Sequence, residues 1–231
     1  MGRLFLFPKR CGKSVSTDSP SFIQSLEPRL LLAAASTAAN VFAQFDGTIA
    51  AAGASVSIPL NFSRSTFKFS GNNSIIGVQV IADSGGTLDP AIVQIKDAHN
   101  RTVAPIFKNA NLAAKTQSLA LAKFATGKYK LIVSAEHGTT GAFSVNLFLA
   151  GDANGDFQVN SADVNTIKKS LGKRAGQRGY SVAADSNLNG VIDAFDVSQA
   201  TANNKDRTNE RILHLFAGPR AATALCPTAL P

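Results

Sequence analysis

From residue 41 to residue 150, apolar and polar residues alternate with a period of two. Val56, Ile58, Leu60 and Phe62 share one face, as do Ile76, Val78 and Val80, then Val93 and Ile95. Leu119 and Leu121, then Tyr129, Leu131 and Val133, then Phe143, Val145, Leu147 and Leu149 continue the series. Such alternation marks strands with one buried face. Turn formers separate the runs: Gly53, Gly71-Asn72-Asn73, Ser84-Gly85-Gly86, Asp89-Pro90, Thr126-Gly127, Gly138 and Gly141. No long stretch here has the helical period. The pattern predicts a mainly β chain, with an antiparallel β-sandwich over residues 40–150.

After residue 150 the pattern changes. Residues 152–163 and 185–196 place oxygen-bearing side chains at matching positions, and the second set follows the first by 33 residues. Positions 1, 3, 5, 9 and 12 are Asp152, Asn154, Asp156, Asn160 and Asp163 in the first loop. They are Asp185, Asn187, Asn189, Asp193 and Asp196 in the second. This is the spacing by which a twelve-residue loop wraps one calcium ion, with position 7 (Gln158 and Val191) offering its carbonyl. Each loop brings three carboxylates and no Cys or His, so hard cations fit and zinc does not. Two such loops predict two Ca2+ ions, and a segment whose folding depends on them. Val159 and Ile192 at position 8 are expected to pair the loops across a short β-bridge and to be buried together. Helices are expected at about 161–171, stopped by Gly172, and at 196–203.

Residues 151–204 resemble a type I dockerin, a small α-helical module of two F-hand calcium loop-helix repeats. The carrying residues are Gly151-Asp152, Asn154-Gly155-Asp156, Val159-Asn160 and Asp163, then Asp185, Asn187, Asn189-Gly190, Ile192-Asp193 and Asp196. Asp rather than Glu at position 12, and the lack of a helix entering the first loop, fit that family. The resemblance implies a cohesin-like protein partner, met by the helix after each loop. Carried over residue by residue, the contact positions in the first repeat are Ser161, Ala162, Lys168, Lys169 and Lys173. In the second they are Ala194, Phe195, Thr201, Ala202 and Asp206. Phe157 stands at loop position 6, where the backbone often needs a positive φ. That predicts a distorted first site. The second helix, Asp196 to Asn203, is short and apolar only at Val197, Ala200 and a few small residues, so two unequal faces are expected, with the first helix as the partner face.

Residues 1–39 read as an export leader: Arg3, Lys9, Arg10 and Lys13 precede an apolar run ending in Leu30-Leu31-Leu32-Ala33-Ala34-Ala35. The run is too short to span a bilayer. Leu26-Glu27-Pro28-Arg29-Leu30-Leu31-Leu32 resembles the LEPR-xLL signal of large bacterial extracellular proteins, which implies delivery outside the cell or to its surface. Residues 205–231 lose all periodicity and read as a disordered tail.

The net charge of +8 does not point to nucleic acid, because it is spread as +3 over 1–40, +4 over 41–150, −1 over 151–204 and +2 over 205–231. Cys11 and Cys226 are too few and too far apart for a disulfide framework. His99 and His137 sit in turns with no nucleophile signature beside them, so no catalytic residue is assigned. With no Trp, and Tyr129 in a core register, Phe67 and Phe69 are the aromatic pair expected at the surface. Leu88-Asp89-Pro90-Ala91, Ile92–Asp97, Thr126–Val133 and Gly141–Val145 resemble the bacterial pre-peptidase C-terminal domain, an accessory sandwich. The sequence thus reads as a secreted, non-enzymatic docking protein without nucleic-acid binding or a transmembrane span. Two alternatives stay open: a calcium-rigidified surface protein with no cohesin, and an accessory subunit of a polysaccharide- or protein-degrading system.

Overall fold

The computed structural model describes residues 38–208, apart from residues 66, 113 and 114. The leader and its LEPR motif lie outside the described residues, as does the tail beyond Thr208. The alternating segments form strands β1 (Val41–Ile49), β2 (Ser55–Phe62), β3 (Phe67–Lys68), β4 (Ser74–Ala82), β5 (Gln94–Asp97) and β6 (Thr102–Val103). They continue as β7 (Phe107–Leu112), β8 (Gln117–Phe124), β9 (Gly127–Ser134) and β10 (Gly141–Leu149). All pairings are antiparallel, in a five-stranded sheet of order β1-β10-β4-β8-β7 and a four-stranded sheet of order β2-β9-β5-β6. Ile58, Leu60, Phe62, Leu131 and Val133 of one sheet meet Ile76, Val78, Val80, Val145 and Leu147 of the other in a shared core.

Helix α1 spans Ser161–Lys169 and α2 spans Ala194–Ala202, with a 3₁₀ turn at Val182–Ala184 and a final strand β11 at Arg207–Thr208. The described residues belong to one compact unit. Both α-helices begin with a capping box: Asn160 with Asp163, and Asp193 with Asp196. These reciprocal bonds satisfy the free N–H groups of the first turn. Loop positions 9 and 12 therefore start the helices as well as closing the loops.

The five-stranded sheet is buried on both faces. Ser74 through Val80 of β4 are all buried, which a sheet with one wet face does not allow. The cover on the second face is the second repeat. Leu188 joins Ile75, Leu119, Leu121, Phe148 and Ala150 in a separate apolar cluster, with Val182 and Phe195 packed against it. Leu119 and Leu121 thus face outward, under the second repeat, while Ala120 and Ala122 face the sandwich core. Close packing in this sheet uses a glycine opposite an aromatic: the Phe148 ring lies over Gly77, and a Cβ there would sit 2.1 Å from its Cζ atom.

Two sequence expectations are corrected here. Phe67 is buried, edge-on to Phe42 and Phe62, so Phe67 and Phe69 form no surface platform. Residues 205–208 are ordered: β11 pairs with β3, adding a short second junction between the repeats and the sandwich.

Candidate functional site: two matched loops with unequal surroundings

Each loop is held by its own side chains, mostly through the same bonds at the same positions. The position 12 carboxylate accepts from the amide at position 2, Ala153 to Asp163 Oδ1 at 3.1 Å and Ser186 to Asp196 Oδ1 at 2.8 Å. The position 1 carboxylate accepts from position 6, Phe157 to Asp152 Oδ2 at 3.1 Å and Gly190 to Asp185 Oδ2 at 2.8 Å. Position 3 accepts from position 5, and position 5 from position 7. Position 9 caps its helix by accepting from position 11, at 2.7 Å in both repeats.

The backbone turns match too. Position 4 has φ +81° at Gly155 and +53° at Leu188, and position 6 has +61° at Phe157 and +81° at Gly190. Each loop places one glycine and one bulky residue in its two left-handed positions, in swapped order. Phe157 therefore adopts the conformation that position 6 demands, and the expected distortion of the first loop is absent. The conformation costs a non-glycine residue roughly 1 kcal/mol, set against packing of the Phe157 ring on the core.

Val159 and Ile192 are fully buried, as expected, but the loops do not pair with each other. Loop 2 closes on the segment after α1: Ile192 N–H donates to Lys173 O at 2.9 Å, Gly172 N–H to Ile192 O at 2.8 Å and Ala175 N–H to Gly190 O at 2.8 Å. Loop 1 closes on the segment after α2: Val159 N–H donates to Asp206 O at 2.8 Å, Lys205 N–H to Val159 O at 2.6 Å and Thr208 N–H to Phe157 O at 2.9 Å. Every member of one set is 33 residues from its counterpart in the other. The repeats exchange closing strands, so the second extends to Thr208 rather than ending at 204.

The surroundings differ. In loop 2, Asp185, Ser186, Asn187, Leu188 and Asp196 are all buried. Tyr180 Oη donates to Asp185 Oδ2 at 2.7 Å. In loop 1, Asp152 and Asp163 are buried, but Asn154, Asp156 and Gln158 are exposed. Burial pushes the Asp152 carboxyl up to about 7, with the charges of Asp163 and Asp156 adding to it against the N–H groups of Gly155 and Phe157. Asp196 is pushed up to about 7 by burial, with Asp185 and Asp193 adding and the N–H groups of Asp193 and Ser186 opposing. Asp185 is raised by burial against the Tyr180 hydroxyl. No basic side chain compensates: the ion pairs among the described residues are Arg101–Asp97 and His137–Asp89.

Buried carboxylates short of positive charge, set among amide and carbonyl oxygens, fit a hard cation such as calcium. Among the described residues no three Asp, Glu, His or Cys side chains gather on one point. A cation in either loop would therefore draw on Asn154 and Asn160, or Asn187 and Asn189, and on the carbonyl of Gln158 or Val191, as well as on carboxylates.

Residues 150–201 match the dockerin type I domain. Dockerins of this type typically bind calcium. No curated protein matches the chain in sequence. Two solved structures are similar at a low level. The pre-peptidase C-terminal domain of a collagenase from Bacillus anthracis is 13% identical, with a TM-score of 0.32, over 45% of this chain and 86% of that one. A type II cohesin–X-dockerin complex from Acetivibrio cellulolyticus is 17% identical, with a TM-score of 0.25, over 68% of this chain and 98% of that one. At these scores neither likeness bears on function.

The dockerin segment is held to the sandwich by its second half. Asn203, the C-cap of α2, is buried: its Nδ2 donates to the carbonyls of Ile75 and Ala150, both at 2.8 Å, and its Oδ1 accepts from Ile75 N–H at 2.7 Å. The Phe195 ring lies 5.4 Å from that of Phe107 on β7. Asp206 is buried and accepts from Ser70 N–H. Of the second-repeat contact positions, Phe195 and Asp206 are thus turned to the sandwich, while Ala194, Thr201 and Ala202 remain exposed. Those of the first repeat, Ser161, Ala162, Lys168, Lys169 and Lys173, are all exposed. Leu171, the last residue of the expected first helix, lies beyond its end and is 46% exposed. Sequence reasoning missed Asn40, whose Nδ2 donates to Asp152 O at 2.7 Å, as well as Asn203 and Tyr180. Single polar residues outside the twelve-residue loops leave no periodic signal.

Proposed function

We propose that this chain is an exported, non-catalytic docking protein acting outside the cell or at its surface. Its dockerin segment takes two calcium ions, one in each loop, and binds a cohesin-like partner through the first repeat. The proposed ligands are the side chains at positions 1, 3, 5, 9 and 12 and the carbonyls of Gln158 and Val191. The observation that carries this reading is the inequality of the two repeats. In the second, Phe195 and Asp206 are taken up by the sandwich, while all five positions of the first, Ser161, Ala162, Lys168, Lys169 and Lys173, stay open to solvent. When bound, the ions neutralise the buried carboxylates and hold the loops in the shape that positions α1.

Capping boxes alone account for Asn160, Asp163, Asp193 and Asp196. They do not account for carboxylates buried at position 1, and that remainder favours a cation. The test is calorimetry of the full chain against a type I cohesin, in calcium and in chelator. Calcium-dependent binding that is weakened by Lys168→Glu with Lys169→Glu supports the reading. Calcium uptake with no binding to a panel of cohesins leaves the second reading, a sandwich rigidified by calcium. The double attachment through Asn203 and β11 favours that alternative.

A further inference from the structure

The outer face of the four-stranded sheet, on the opposite side of the sandwich from the second repeat, carries charge that the fold does not need. Lys96 on β5 and Lys130 on β9 are directly opposite in register. Like charges so placed repel across an antiparallel pair. Lys128 lies two residues along β9, on the same face and opposite Asn61 of β2. Lys128 and Lys130 are exposed, and neither has an ion-pair partner among the described residues. Lys96 Nζ donates to Thr102 Oγ1 at 2.7 Å.

Lys128 and Lys130 floor an open groove over β9, with Lys96 beside it on β5. Pro59 and Asn61 form one wall, and Ala98 and Asn100 of the β5–β6 turn form the other. Asp97 also lines it, but its carboxylate is already committed. Oδ2 takes the Arg101 guanidinium at 2.7 Å, and Oδ1 takes the N–H groups of His99 and Arg101, both at 2.9 Å. The groove thus presents the ammonium groups of Lys128 and Lys130 beside the amide side chains of Asn61 and Asn100.

We propose that this groove binds an acidic polysaccharide, a linear polymer of carboxylate-bearing sugars. Charge complementarity sets the sign of the ligand, and the walls set its class. The Tyr129 ring packs inward, 5.0 Å from Phe124 and 5.7 Å from Phe62, so it offers no stacking platform for a nucleobase. The Arg101 guanidinium is tied to Asp97 and is not free to grip phosphate. The walls carry no exposed aromatic or large aliphatic anchor of the kind that fixes a protein partner. Sugar hydroxyls suit Asn61 and Asn100, and uronate carboxylates suit Lys128 and Lys130. Since the partner face of the first repeat lies on other elements, polymer and protein partner can be held at once.

The test is affinity electrophoresis and calorimetry of the full chain in calcium, with polygalacturonate as the probe. Neutral galactan, single-stranded DNA and polyphosphate serve as comparison polymers. Binding of polygalacturonate that weakens with salt, and at least tenfold with Lys128→Gln and Lys130→Gln together, supports the proposal. The same charge change at exposed Lys108 and Lys123, on the other sheet, should leave binding within twofold. Equal loss from both pairs, equal retention of DNA or polyphosphate, or no retention of polygalacturonate at low salt overturns it. Cohesin binding is read separately, so failure there does not bear on the groove.

Discussion

Loop 1 and loop 2 share backbone turns and most internal bonds, yet loop 1 exposes positions 3, 5 and 7 to water, while loop 2 exposes only position 5, Asn189, among these. Asn154, Asp156 and Gln158 are exposed, while Asp185, Ser186, Asn187 and Leu188 are buried. The difference comes from outside the loops. Leu188 and Phe195 lie on the outer face of the five-stranded sheet, and Asn203 is bonded to the start of its central strand, β4. A binding loop can therefore keep its local chemistry while its neighbours decide how much it depends on its ion.

The largest effect that tests this contrast is removal of calcium. Each ion at a hundred times its dissociation constant contributes about 2.7 kcal/mol, and sealing by the sandwich is independent of it. In chelator, amide exchange at residues 153–158 should approach the unfolded rate while residues 186–188 stay protected. Equal loss of protection in both loops would break the comparison. Next is the clamp. Asn203→Ala removes the side-chain partner of the Ile75 N–H and of the Ala150 carbonyl, while the Ile75 carbonyl keeps the Ala150 N–H, which costs about 3 kcal/mol. Urea unfolding of the calcium-loaded chain measures it, and a cost below 1 kcal/mol would mean that the second repeat is not held as described. A smaller and more pointed pair uses the swapped glycines. Leu188→Gly relieves a positive φ but empties a buried site, for a net loss of about 2 kcal/mol. Phe157→Gly relieves the same strain at a half-buried ring, and its net effect should stay within about 1 kcal/mol. Similar values for the two would erase the distinction between sealed and open.

Acidity acts on the same buried carboxyls and tests the two loops together. The carboxyls of Asp152 and Asp196 are raised to about 7 by burial and by their acidic neighbours. A raised folded pKa means that the metal-free fold binds more protons than the unfolded chain between the ordinary carboxylate range and about pH 7. Without calcium, the segment should therefore become more stable as pH falls from 8 to 5. Calcium affinity should move the other way, falling by up to about tenfold per pH unit below 7 for each proton displaced. Thermal melts in chelator and calcium titrations at pH 5, 6, 7 and 8 check both signs.

Much of this was legible in the chain because the signals are local. The loops show in sequence since each donor sits at a fixed offset within twelve residues, and the capping boxes share those offsets. The strands show through alternation. Leu119 and Leu121 reveal the limit of that reading: alternation says that two leucines share a face, but not that another part of the chain covers it. Phe67 and Phe69 looked free for the same reason, since their aromatic neighbours come from β1 and β2. Phe157 misled in the opposite direction, because a preference for glycine at position 6 is a cost of order 1 kcal/mol and not a prohibition. The exchange of closing strands left no trace, since residues 172–175 and 205–208 share almost no side-chain pattern and act through their main chain.

That exchange sets an order of assembly. The strand that loop 2 needs precedes it in the chain, so loop 2 can shut as soon as it emerges from a ribosome or an export channel. Loop 1 has to wait for residues 205–208, the last described stretch to appear, and until then its acidic side chains have no wall to close against. The final strand is thus a latch, thrown once and late. A chain ending at Asn204 should leave residues 153–158 in fast amide exchange even in saturating calcium, while loop 2 remains shut.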